Sequence, residues 1–142
     1  MLTRNFQMVY DNFKMRFYQS LCQNSKELNM QEAFSLDVIH MLGNPTILEF
    51  ANYMEISQPN ATYKINQMIQ KGYLVKEACV DDKRSFRLKV TEKFLECYRG
   101  NDRYIEKTLK DIESKFSEEE VQILQNMLKE IETNMSQGDK ND

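Results

Sequence analysis

The sequence predicts a mostly helical α+β fold in a single 142-residue domain, on three observations. Apolar residues recur at helical spacing through both terminal regions. Two short helical stretches with their own capping residues lie between them, at 46–54 and 57–72. Two short β-like segments, 73–79 and 85–91, follow at once.

Residues 4–24 carry Phe6, Val9, Tyr10, Phe13, Phe17 and Leu21 at helical spacing, a first helix. Residues 28–30 read as a loop and 31–42 as a second helix. Gly43-Asn44-Pro45 stops it, since Gly accepts a left-handed cap and Pro cannot continue a helix. "TILE" at 46–49 is a capping box, so a short third helix starts there and runs to about residue 54. Its apolar face is Ile47, Phe50, Ala51 and Met54. Residues 55–56 form a tight turn. Ser57 caps the next helix, and Pro59 lies in its first turn, where a missing N–H has no partner to lose. That helix ends at Gly72.

Two short helices joined by a few residues make a helix-turn-helix. "YLVKEAC" and "SFRLKVT" then read as strands, the second alternating Phe86, Leu88 and Val90 with Arg87 and Lys89. The loop "VDDKR" between them carries charges at its tip. A charged hairpin directly after a helix-turn-helix is a winged helix. From Thr91 the helical pattern returns through Leu95, Tyr98, Ile105, Leu109, Ile112 and Phe116, with Gly100 as a candidate bend. "SEEE" at 117–120 is a second capping box. The last helix carries Val121, Leu124, Leu128 and Ile131, and residues 136–142 are expected to be disordered.

Composition narrows the classes. No apolar run reaches membrane-spanning length, so no membrane partner is expected. The first residues, "MLTRNFQMVYDNFK", interrupt their apolar positions with charges and are not a signal peptide, which favours the cytoplasm. Cys22, Cys79 and Cys97 form no paired framework or metal clip and read as reduced thiols. The single His40 lies in an apolar helix, where a structural role competes with a ligand role. Neither a metal nor a cofactor is expected. There is no Gly-rich phosphate loop and no nucleophile with a partnered His, so an enzyme is not expected. Net charge is −3, yet residues 57–99 hold nine Lys or Arg against five acids, +4, leaving −7 elsewhere. A local basic patch matters more for DNA than the whole-chain sum, although a solvated surface gives the same count.

The helix at 57–72 has a composition that stability does not explain. Ala61, Ile65 and Met68 form its buried line. Pro59, Tyr63, Asn66, Gln67 and Gln70 then point away, with Asn60 and Thr62 at the flanks. Pro59, Asn60, Thr62, Tyr63 and Asn66 are mediocre or poor helix formers. Asn and Gln can pair with adenine, Thr with a base edge or a thymine methyl, and Tyr with phosphate or a base. An idle polar surface is the competing reading.

The ordered set "TILEFANYMEISQPNATYKINQMIQKGYLVKEACVDDKRSFRLKVT" resembles the winged helix of the MarR family of bacterial transcription regulators. Its most specific mark is Asp82-x-Arg84 followed by an alternating strand ending in Val90-Thr91. The Ser57 cap, Thr62 and the Lys71-Gly72-Tyr73 exit also fit. The resemblance implies a homodimer whose first and last two helices intertwine, and a lobe at 31–91 that binds a pseudo-palindromic double-stranded DNA operator. Helices 4–24 and 92–135 would form the dimer. Their apolar residues, including Phe6, Val9, Phe13, Ile123, Met127 and Leu128, are too many for a small winged domain to cover. A bundle packed within one chain is the alternative.

On this reading Ser57, Gln58, Pro59, Asn60, Thr62, Tyr63, Lys64 and Asn66 contact DNA from the recognition helix in the major groove. Thr46, Ser57 and Lys64 are placed for phosphates. In the wing, Asp82, Lys83, Arg84, Ser85 and Arg87 are the candidates. Arg84 would enter the minor groove, where Arg senses shape. Lys83 would sit on phosphate, and Asp82 would brace the loop through Arg84 or Arg87. Ordinary solvated charge is the alternative for the wing cations. Many relatives carry Arg where this chain has Tyr63, so its reading helix is less basic.

Peroxide-sensing relatives use a Cys near the start of the first helix, which this chain lacks. Zinc sensing needs clustered ligands, and one His makes no cluster. A small organic ligand remains, with Phe17, Leu21, Phe34, His40 and Met41 as candidate pocket residues; core packing explains them equally well. The protein would then be a ligand-responsive repressor. The alternative class is a winged helix used for protein–protein contact without DNA binding.

Overall fold

The computed structural model describes residues 1–24, 26–82 and 84–138. The Lys83 expectation, and the 139–142 part of the tail expectation, lie outside them. The elements are α1 (Leu2–Asn24), α2 (Met30–Met41), α3 (Ile47–Tyr53), α4 (Gln58–Gln70), β1 (Leu74–Ala78), β2 (Phe86–Val90), α5 (Glu92–Lys115) and α6 (Glu118–Gly138). The chain divides into two compact units, Met1–Asn101 and a second beginning at Asp102.

In the first unit, the capping chemistry sets the helix starts. Asn29 caps α2, its side chain accepting from the Glu32 N–H at 2.8 Å. Residues 28–30 are therefore not all loop, and α2 begins one residue earlier than expected. Gly43 and Asn44 then take left-handed φ values of 68° and 59° before Pro45. Thr46 and Glu49 form both bonds of the capping box at α3. Glu55, at φ 53°, makes the turn into α4. Ser57 Oγ accepts from the Asn60 N–H at 3.3 Å, and Gly72, at φ 82°, follows the end of α4.

β1 and β2 are antiparallel, running from the Leu74–Val90 pair to the Ala78–Phe86 pair. Leu88 and Val90 are buried, but Phe86 is 44% exposed. The alternation continues while the outer end of the hairpin projects past the core. β2 is tied to the entry of α3, the Leu88 N–H donating to the Pro45 carbonyl at 2.8 Å. The core joins Leu36 and Ile39 of α2, Phe50 of α3, Ile65 and Met68 of α4, and Phe94 of α5. Of α1, Leu21 is buried in it.

α5 runs helical through Gly100. In the second unit, Ser117 and Glu120 exchange capping bonds of 3.2 and 2.9 Å. α6 continues to Gly138, so residues 136–138 are helical and not disordered as expected. Ser136 Oγ donates to Glu132 Oε1 there at 2.9 Å, an i, i+4 pair that supports the last turns. No residue of α6 is buried.

Candidate nucleic-acid interface

α4 turns Ala61, Ile65 and Met68 fully into the core. The consequence is geometric: Gln58, Pro59, Asn60, Tyr63 and Asn66 are exposed on the other side, with Thr62, Lys64 and Gln67 half-buried at the flanks. Tyr63 is 64% exposed. Its hydroxyl accepts from Gln67 Nε2 at 2.8 Å, which leaves the phenolic proton to donate outward. The Thr62 hydroxyl donates to the Gln58 carbonyl at 2.9 Å, so it offers a partner only its lone pairs and methyl. Ser57 Oγ and Thr46 Oγ1 each accept a capping bond and keep a donor proton. Lys64 leans toward α2, its ammonium 3.2 Å from Gln31 Oε1, with two further N–H donors.

In the wing, Asp82 Oδ1 accepts from the Arg84 backbone N–H at 2.9 Å, and its Oδ2 accepts from Ser85 Oγ at 3.2 Å. Asp82 thus folds the loop through the main chain of Arg84 and the hydroxyl of Ser85, leaving the Arg84 side chain exposed. The Arg87 guanidinium is directed elsewhere. It donates to the Asn44 carbonyl at 3.1 Å and lies 3.9 Å from Glu49 Oε2. Arg87 therefore does not brace Asp82 as one sequence reading had it; it ties the wing to the start of α3.

The basic segment is less free than its composition suggests. At least five of its nine cations face a carboxylate: Lys71 with Glu32, Arg87 with Glu49, Lys89 with Glu77, Lys93 with Glu27 and Arg99 with Glu92.

A groove of about 250 Å³ opens between α1, α2 and the first turns of α5. Phe17 and Phe34 line it, with Tyr10, Phe13, Tyr18, Asp37, Tyr98 and Asn101. Three expected lining residues do not. Leu21 packs into the core, Met41 ends α2 at 74% exposure, and the His40 ring rests on Tyr98, 5.0 Å between centroids. Tyr10, Phe13 and Tyr18 of α1, with Tyr98, are the part of the wall that sequence reasoning missed; the spacing of Tyr10 and Phe13 ahead of Phe17 was visible, but its destination was not. Asp37 Oδ1 and Asn101 Oδ1 are buried with no hydrogen-bond partner. Burial raises the Asp37 carboxyl above its ordinary value, with a Tyr98 hydrogen bond and His40 pulling partway back. Among the described residues no group of His, Cys, Asp or Glu could hold a metal, and no helix is long and apolar enough to cross a membrane.

A helix-turn-helix whose second helix exposes amide and phenol groups beside a braced, charged wing defines the class of winged-helix proteins. The sequence profile of the MarR family matches residues 28–86, the stretch that holds the helix-turn-helix and most of the wing. The fold as a whole is similar to solved structures. Transcriptional regulator Tm0710 from Thermotoga maritima has a TM-score of 0.68 at 18% identity, over 99% of this chain and 98% of that one. A MarR family protein from Bacillus stearothermophilus gives 0.65 at 19%, over 95% and 93%. FabT from Streptococcus pneumoniae, solved in complex with DNA, gives 0.60 at 18%, over 96% and 99%.

Proposed function

We propose that this protein is a homodimeric, sequence-specific regulator of transcription that binds a pseudo-palindromic DNA operator. α4 lies in the major groove, and the wing, led by Arg84, in the minor groove. The observation that carries the reading is the outer face of α4, where Asn60, Tyr63 and Asn66 stand exposed above a wholly buried apolar line. Amides read adenine edges, and the early turns of a recognition helix are the part that reaches bases. Thr46, Ser57 and Lys64, each with a free donor proton, supply phosphate contacts that set register.

The dimer follows from uncovered apolar surface. On α1, Phe6 and Val9 are 43% and 53% exposed, and on α6, Ile123 and Met127 are 54% and 57% exposed. Runs of this kind exceed scattered surface residues and suit an interface. The protein acts as a repressor released by a small organic ligand in the α1–α2–α5 groove. Aromatic walls and two unpartnered oxygens suit an aromatic compound with an N–H or O–H donor.

A mobility-shift assay on random duplex DNA at low salt tests the core of this reading. A retarded complex that weakens steeply with salt is expected. No shift would leave the winged helix as a protein-contact module.

A further inference from the structure

We infer that Lys71 and Lys93, at the exit of α4, are positioning residues for DNA reading rather than phosphate contacts: with Glu27 and Glu32 they form a clamp that sets the angle of α4. This rests on the reading of α4 as the helix that enters the groove.

The Lys71 ammonium lies 2.9 and 2.8 Å from the two oxygens of Glu32 and 2.9 Å from the Glu27 carbonyl. An ammonium has three donors, and here all three are committed. Glu32 is buried at the first turn of α2, and its Oε1 also accepts from Asn29 Nδ2 at 2.6 Å. Removing its cation would leave a buried charge uncompensated, which holds the pair together.

Lys93, in the first turn of α5, donates to Glu27 Oε2 at 2.8 Å and to the Lys71 carbonyl at 2.9 Å. Its ammonium is also 4.5 Å from the centroid of the buried Tyr73 ring. The Lys71 carbonyl is among those at the end of α4 that lack an intrahelical partner, and a cation there suits the helix dipole. Beside it, Thr91 Oγ1 donates to the Gly72 carbonyl at 2.6 Å. The exit of α4 is thereby joined to the segment after α1, to α2 and to α5.

The base-facing residues lie at the other end of the same helix. A tilt of about 3° at the exit of a helix this long moves its first turn by about 1 Å, and base-edge hydrogen bonds tolerate little more. The signs of the effects separate the clamp from simple charge. Glu27→Ala removes a negative charge, so phosphate attraction alone would tighten binding to any duplex. Loss of the clamp weakens binding to the preferred duplex.

The test titrates the full chain with two labelled duplexes: one that the wild-type protein enriches from a random library, and a scrambled one of the same composition. Each is measured at several salt concentrations, beside thermal melts. Glu27→Ala and Lys93→Met should each weaken the enriched duplex about three- to fivefold, the range of a partly exposed ion pair. Scrambled binding and the salt slope should stay at wild-type values. The double variant should be no worse than either single one. Lys93→Arg, which can donate to both partners, should restore the enriched duplex. Glu27 is exposed, so its variant reports even if Lys93→Met unfolds. The clamp is overturned if Glu27→Ala binds both duplexes as well as or better than wild type. It is also overturned if Lys93→Met weakens both together and lowers the salt slope by about one. A wild-type protein that enriches no sequence would instead remove the DNA reading, and this inference with it.

Discussion

Ile65 and Asn60 lie five positions apart on α4 and carry opposite duties. Ile65 is fully buried. Truncation to Ala deletes packed methyl groups and should cost about 2–5 kcal/mol of stability. A thermal melt that moves little would mean the site collapses around the loss, or that α4 is packed differently. Asp37 makes a second residue-scale prediction, through its proton. Its carboxyl is held above the ordinary 3.8 by burial. The folded state therefore keeps a proton that the unfolded chain has already released. The contribution of this group is full below the unfolded value and declines as pH rises through the folded one. Asp37→Asn removes that decline, so it should raise the melting temperature at neutral pH and flatten the profile from about pH 4 upward. Parallel profiles for the two proteins would contradict the burial argument.

The wing and the helix starts show where the sequence could be read and where it could not. Caps are local: Thr46-x-x-Glu49, Ser57 and Ser117-x-x-Glu120 all form the predicted bonds. The three buried residues of α4 were equally legible, because a helical period places them without knowledge of the rest of the chain. Long-range partners were not. Nothing in the spacing of Arg87 says that it will reach the Asn44 carbonyl across 43 positions, and two of the lysines that made 57–99 look basic, Lys71 and Lys93, meet acids from α2 and the segment after α1. The groove wall was legible only at Phe17 and Phe34; Tyr10, Phe13, Tyr18 and Tyr98 had no visible destination. The wing carries its own prediction. Arg84 is exposed while Asp82 holds its backbone. Arg84→Ala should therefore weaken DNA binding by about 1–3 kcal/mol with the melt unchanged. Asp82→Ala should weaken binding too, by releasing the loop. If both bind as wild type does, the wing makes no DNA contact.

At the scale of the whole chain, α1 and α6 each carry exposed apolar residues, Phe6 and Val9 on one and Ile123 and Met127 on the other. Light scattering at micromolar concentration should give twice the chain mass, and Leu128→Glu, on the exposed α6 face, should shift it toward the monomer. A two-fold protein fits a two-fold site, which joins the dimer to the reading face of α4 in one measurement. Sequences bound from a random duplex library should converge on an inverted repeat, its half-sites separated by about 10 base pairs or a multiple. The same selection with Asn60→Ala should keep the repeat and lose base preference at one symmetric pair of positions. Enriched sequences without two-fold symmetry, or an Asn60→Ala preference identical to wild type, would contradict a dimer that reads DNA through α4.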